Sequence, residues 1–237
     1  MPTEFDGFPA EAITFLRDLR ENNNKAWFDA NKTTYVDAVR EPARAFVAAL
    51  GTRLQEEFPN VTFDTRTNGS GSLMRINRDV RFSKDKSPYK TNIAMMFWEG
   101  DGKKTEKPGF GLQFNADGFG LMAGQFGFSK AMLTAYREAV AGDDLGPALL
   151  EAVDQVTSTG DYTINGAHYK RVPRGYDADH PRADWLKYNA LWASMPENTD
   201  SAIITSPAFI DVCMQHFTNM APIQQWLVQV DQRLPTP

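Results

Sequence analysis

The spacing of apolar residues changes period twice along this chain, and that change constrains its fold more than any single motif. Up to residue 59 the apolar side chains recur at helical spacing. Ala12, Ile13, Leu16 and Leu19 share one face after Pro9. Trp27, Phe28, Asn31, Tyr35 and Val39 follow Asn24, a good helix N-cap, and Phe46, Val47, Leu50 and Leu54 continue beyond Pro42, which kinks or restarts the helix.

From residue 60 the period falls to two. Val61-Thr62-Phe63 is strand-like, 73–77 alternates with Met74 and Ile76 opposite Arg75 and Asn77, and 92–98 is apolar on both faces. Phe110, Leu112 and Phe114 alternate up to Asp117-Gly118, which predicts a type I′ hairpin with a return strand at 119–126. The glycines at 109, 111, 120, 124 and 127 leave one face nearly bare, where either a helix packs closely, the favoured reading, or a ligand approaches the backbone.

Helical spacing returns after Ser129 with Met132, Leu133, Tyr136 and Val140, and again after Asp143 or Asp144 with Leu149, Val153 and Val156. Asn165-Gly166 predicts a second hairpin between 162–164 and 168–170. A short helix from Pro181, a strand at 202–204, and a final helix from Ser206-Pro207 that bends at Pro222 complete the reading. The final helix carries Phe209, Val212, Cys213, His216, Phe217 and Met220 inward. Helices, then strands, then helices suit an α+β fold with an antiparallel sheet built from hairpins and packed by N- and C-terminal helices. The 237 residues are expected to form a single domain: a helical layer at 1–59, a sheet with a basic loop at 60–128, and helices plus the second hairpin at 129–237.

Charge singles out one stretch. Residues 75–90 read R-I-N-R-D-V-R-F-S-K-D-K-S-P-Y-K and set six cations (Arg75, Arg78, Arg81, Lys84, Lys86, Lys90) against two carboxylates (Asp79, Asp85), a local +4 inside a chain of −5. That reversal points to an anion. Arginine at 75, 78 and 81 suits bidentate capture of carboxylate or phosphate. Val80, Phe82, Pro88 and Tyr89 interleave the charges and are expected to anchor the loop on the body. The opposing reading is local ion pairing, since cations about 10 Å apart in water repel by only about 0.4 kcal/mol. A second basic island, Lys170, Arg171 and Arg174, precedes Asp177, Asp179, His180 and Arg182. The expectation is that it forms the opposite wall of the same pocket, with Asn22, Asn23 and Asn31 adding polar contacts. Asp79, Asp85 and His180 are then the candidates for proton transfer.

Other chemistries fit poorly. Ser83 and Ser87 each begin an S-x-x-K, but the S-D-N and K-T-G partners are absent. The glycines at 69–71 lack a following G-K-[ST], and those at 109–111 lie in a strand pattern. Cys213 is the sole cysteine, so neither a disulfide nor a cysteine metal cluster is expected, and Cys213 with His216 reads as core. Asp177, Asp179 and His180 lack metal-loop spacing, so no metal and no cofactor is expected. The first residues lack a leader pattern and no apolar run reaches about 20 residues, so a cytoplasmic protein without a membrane partner is expected.

The segments at 22–32 (N-N-N-K-A-W-F-D-A-N-K), 75–92, 108–110 and 170–181 (K-R-V-P-R-G-Y-D-A-D-H-P) resemble a family of conserved hypothetical proteins of bacteria and fungi, domain of unknown function 2461. The resemblance spans nearly the whole chain and implies an intracellular domain with both basic loops as hallmarks, and no particular reaction. Together these readings predict a cleft lined by Arg75, Arg78, Arg81, Lys84, Lys86, Tyr89, Lys90, Lys170, Arg171 and Arg174 that takes a phosphorylated or polycarboxylate small molecule. A nucleic-acid module, with Phe82 and Tyr89 stacking bases, and the docking of an acidic protein partner are the alternatives.

Overall fold

A computed structural model describes residues 5–196 and 198–234. Helix α1 (Ala10–Glu21) buries Ala12, Ile13, Phe15, Leu16 and Leu19, the face its periodicity marks. Helix α2 (Lys25–Ala30) starts at Asn24, whose side chain accepts from the Trp27 amide at 3.0 Å. A single turn, α3 (Lys32–Thr34), runs into a π-helical segment (Tyr35–Arg40) and then α4 (Glu41–Glu57), which restarts with Pro42 in its first turn. Proline is tolerated there because the first amides of a helix have no intrahelical partner.

The sheet holds β1 (Val61–Thr62), β2 (Ile93–Glu99), β3 (Gly109–Phe114), β4 (Phe119–Gln125), β5 (Thr163–Ala167) and β6 (Tyr188–Ser194) in the order β1-β2-β3-β4-β6-β5. The two last pairings are antiparallel: Met122 faces Ser194 in β4–β6, and Thr163 faces Ser194 in β5–β6. Ser129 caps α5 (Lys130–Ala141) through the Met132 amide, Asp144 caps α6 (Leu145–Ser158), and α7 (Phe209–Asp231) runs through Pro222. The fold is α+β, as the order of periodicities predicts.

Several local expectations are corrected. Asn165-Gly166 is not a hairpin turn: both lie inside β5, which pairs with β6, and the register slips between Asn165 and Ala167. Gly166 has φ +120°, and a Cβ there would lie 2.0 Å from the Ala190 carbonyl oxygen, so the glycine serves a bulge against the neighbouring strand. The strand at 188–194 replaces the end of the short helix expected from Pro181, of which a 3-10 turn at Trp185–Lys187 remains. Residues 203–205 form a 3-10 turn rather than a strand. Asp117-Gly118 has no positive φ. The loop at 115–118 is instead closed by Asn115, whose Oδ1 accepts from the Asp117 and Gly118 amides at 2.8 and 3.0 Å. The stretch at 73–77 forms only isolated bridges, Leu73 with Met95 and Asn77 with Tyr89.

The chain divides into two compact units. The first comprises Met1–Phe97, Gly111–Gly120 and Glu197–Met214, and it centres on an aromatic cluster. There Phe8 lies 4.5 Å from Phe114 and 5.5 Å from Phe46 between ring centroids, and Phe209 lies 5.3 Å from Phe46. The second comprises Trp98–Phe110, Leu121–Pro196 and Gln215–Pro237. Its core includes Tyr136 edge-on to Trp226, with the Trp226 indole donating to the Leu145 carbonyl at 2.8 Å. Lys107 and Asp231 pair at 2.7 Å with most of both side chains covered.

Candidate functional site

Each basic stretch belongs to one unit. In the first, residues 76–78 and 88–90 meet at an isolated antiparallel bridge: the Arg78 amide donates to Pro88 at 2.9 Å and the Lys90 amide to Ile76 at 2.7 Å. Between them the chain makes an irregular loop, and its base is fixed from below. Tyr89 is buried and stacks on Phe28 at 4.0 Å with an interplanar angle of 15°. Such a pair adds about 0.5–1.5 kcal/mol to the burial of the rings. Asn23 brackets the backbone of Tyr89, its Nδ2 donating to the Tyr89 carbonyl at 3.0 Å and its Oδ1 accepting from the Tyr89 amide at 3.1 Å.

The interior of the loop is built by its own charges. Arg78, with a side chain 29 % exposed, pairs with Asp85, donates to Ser87 Oγ at 2.9 Å and reaches Ser83 Oγ at 3.5 Å. Asp85 in turn accepts from the Ser87 amide and hydroxyl at 2.9 and 2.6 Å. These two serine bonds, and then Arg78, hold the Asp85 carboxyl down at about 2. Arg81 clasps Asp79, with Nε at 2.9 Å and a terminal nitrogen at 2.6 Å, which lowers the Asp79 carboxyl and raises the guanidinium. Both carboxylates therefore build the loop, and being held low they are weak bases near neutral pH.

The remaining cations are not neutralised within the loop. Arg75 donates from Nε to the Asn68 carbonyl at 2.8 Å and lies over Gly69, where a Cβ would meet its side chain at 2.4 Å. Lys86 donates to the Val80 carbonyl at 2.9 Å. The side chains of Lys84 and Lys90 have no hydrogen-bond or ion-pair partner among the described residues. One expectation about the loop is reversed: Phe82 does not anchor it but stands 95 % exposed, with the Arg81 guanidinium 5.8 Å from its ring centroid. Asn22 and Asn31 lie at helix ends, donating to Asp18 and Trp27 carbonyls at 3.0 and 2.9 Å.

In the second unit, Lys170, Arg171 and Arg174 are exposed and without side-chain partners among the described residues. The acidic part of that loop is closed on itself: the Asp179 amide donates to Asp177 Oδ1 at 3.0 Å, and His180 Nδ1 accepts from the Arg182 amide at 3.0 Å. His180 serves here as an acceptor for the local backbone. Arg182 points away from solvent to the end of α5, donating to the Val140, Ala141 and Gly142 carbonyls at 2.7, 3.3 and 2.9 Å. A cation at a helix C-terminus satisfies orphan carbonyls and complements the helix dipole. Two further features escaped the sequence reading, Arg137 lying over the Tyr169 ring at 5.0 Å and His216 Nδ1 bonded to the Tyr162 hydroxyl at 2.8 Å. Neither has a local sequence signal, because each pairs residues distant in the chain. Among the described residues no group of three or more His, Cys, Asp or Glu is placed to hold a metal ion, and no helix is long and apolar enough to cross a membrane.

The family model of a conserved hypothetical protein, DUF2461, matches residues 11–226. The chain belongs to this family. The matched residues include the Asn23 clamp, the whole loop it holds and the second basic stretch. No curated protein matches the chain.

Proposed function

We propose that this protein binds an anionic ligand, a phosphorylated or polycarboxylate small molecule, through the loop at 75–90. One observation carries the reading. The two carboxylates of the loop are consumed by Arg78 and Arg81, so Arg75, Lys84, Lys86 and Lys90 keep their charge on a segment pinned by Asn23 and Phe28. A loop whose scaffold is separate from its free charges is preorganised, and holding cations in place beforehand reduces the ordering cost of binding. Lys170, Arg171 and Arg174 offer a second set of free cations within the other unit.

The test is a thermal-shift series with phosphate, nucleotides, sugar phosphates and citrate. A ligand at a hundred times its Kd stabilises by about 2.7 kcal/mol, or several degrees in a protein of this size. Lys84→Ala together with Lys86→Ala is expected to abolish the shift while leaving the unliganded Tm in place. The absence of any shift at millimolar anion overturns the reading. A nucleic-acid ligand is favoured by one specific observation, the exposure of Phe82.

A further inference from the structure

Phe82 is the most exposed of the large hydrophobic side chains among the described residues, and it stands in the middle of the most basic segment. Leaving a phenylalanine in water forgoes much of the gain that burial would give it, and here the neighbouring aromatic, Tyr89, is buried against Phe28. The ring is therefore displayed by a loop whose base and interior are both fixed. Arg81 lies beside it and is held there by Asp79, while Lys84 and Lys86 follow within four residues.

We infer that Phe82 is a stacking platform for an unpaired base, and that the ligand of this loop is a single-stranded nucleic acid. The inference rests on the anion-binding reading of the same loop, replaces its small molecule by a phosphate-bearing polymer, and adds the part of the ligand that is not anionic. A flat aromatic face next to cations matches a polymer that alternates flat bases with phosphates, and every base has a π-face to offer. Inorganic phosphate or citrate makes no use of the ring. A duplex keeps its bases stacked on one another, so the single strand is the preferred form. A membrane surface fits less well. One ring between Arg81 and Ser83 buries far less apolar area than the acyl chain that anchors a protein beside a polybasic patch, and the remainder of the chain is acidic. That acidity also keeps the contact local. Four uncompensated cations neutralise at most four phosphates, so the slope of log K against log salt should be no steeper than about −3.

Fluorescence anisotropy of an end-labelled twelve-nucleotide single strand, RNA and DNA, tests this at low salt. The arms are a duplex of the same sequence, inorganic polyphosphate as competitor, and phosphatidylcholine–phosphatidylserine vesicles in sedimentation. The expected result is single-strand binding that Phe82→Ala weakens about 5- to 150-fold, the range for loss of one base–aromatic stack. Phe82→Trp should retain it, and polyphosphate binding should be indifferent to Phe82→Ala. Because Phe82 touches little else, neither variant should alter the fold, which the unliganded Tm checks. Polyphosphate binding without a Phe82-dependent single-strand interaction overturns this inference and leaves the anion site standing. Failure of every polyanion overturns both. Tighter duplex binding, or vesicle binding that needs Phe82 while oligonucleotides do not bind, also overturns it.

Discussion

Asn23 and Tyr89, far apart in the chain, exchange two hydrogen bonds through one carboxamide, which gives and takes at the backbone of Tyr89 as a neighbouring strand would. The basic loop is thereby tied to the connection between α1 and α2.

Asn23→Ala leaves the Tyr89 amide and carbonyl without these partners, and Tyr89 is buried. A loss of about 1–3 kcal/mol is expected, seen as a Tm lower by several degrees. Hydrogen exchange at the Tyr89 amide should accelerate. A variant with unchanged stability and unchanged exchange would show that the clamp is incidental.

Arg78→Ala and Lys84→Ala should separate scaffold from ligand contact. Removing Arg78 takes the ion pair from Asp85 and a donor from two serine hydroxyls, so the loop should become susceptible to limited proteolysis between 79 and 87. Removing Lys84, which holds nothing, should leave the proteolytic pattern unaltered.

The pH dependence of the loop follows from Asp85. Its carboxyl is at about 2 when folded against an ordinary 3.8, a depressed value. The stabilisation it provides is thus fully present above the unfolded value and is lost as pH falls through the folded one. A carbon-13 carboxyl titration should place Asp85 near 2, and Ser87→Ala should move it upward, because the serine bonds are its largest cause. The native arrangement of the loop should persist through mildly acidic buffer.

Cys213 lies fully buried on α7, and burial pushes its thiol well above its ordinary range. A thiol-directed reagent should therefore fail to modify the native protein and should label one group per chain on unfolding. Rapid labelling of the folded protein would contradict the placement of that helix face.

Gly166→Ala and Gly175→Ala form an informative pair, since both glycines have positive φ. At 166 the added methyl meets the Ala190 oxygen at 2.0 Å, while at 175 nothing lies within 4 Å. The first should cost clearly more than the second, whose cost is backbone strain alone, of order 1–3 kcal/mol. Urea denaturation of both variants measures the difference.

What the sequence revealed and what it hid divide along the range of the interactions involved. The caps at Asn24, Ser129 and Asp144, the apolar stripes of α1 and α4, and the β3–β4 pair depend on residues a few positions apart, and they were legible. The strand at 188–194 was not, because its partners are β4 and a bulged β5 brought together only by the tertiary fold. Asn165-Gly166 has the composition of a tight turn, yet the same permissive glycine suits a bulge, and composition does not distinguish them. The basic stretch was visible as charge. Its division into builders, Arg78 and Arg81, and free cations was not, since that depends on which carboxylate each arginine reaches. The burial of Tyr89 beside the exposure of Phe82 was likewise hidden, because the two aromatics look alike in a one-dimensional pattern.

The division of labour within this loop has an evolutionary consequence. Arg78, Asp85 and Ser87 maintain its shape and Tyr89 its seat, whereas Lys84 and Phe82 support nothing internal. Substitutions at 82 and 84 can therefore drift without a folding penalty and change the chemistry that the loop displays. One or two codons suffice to alter the displayed surface while the same framework is inherited intact.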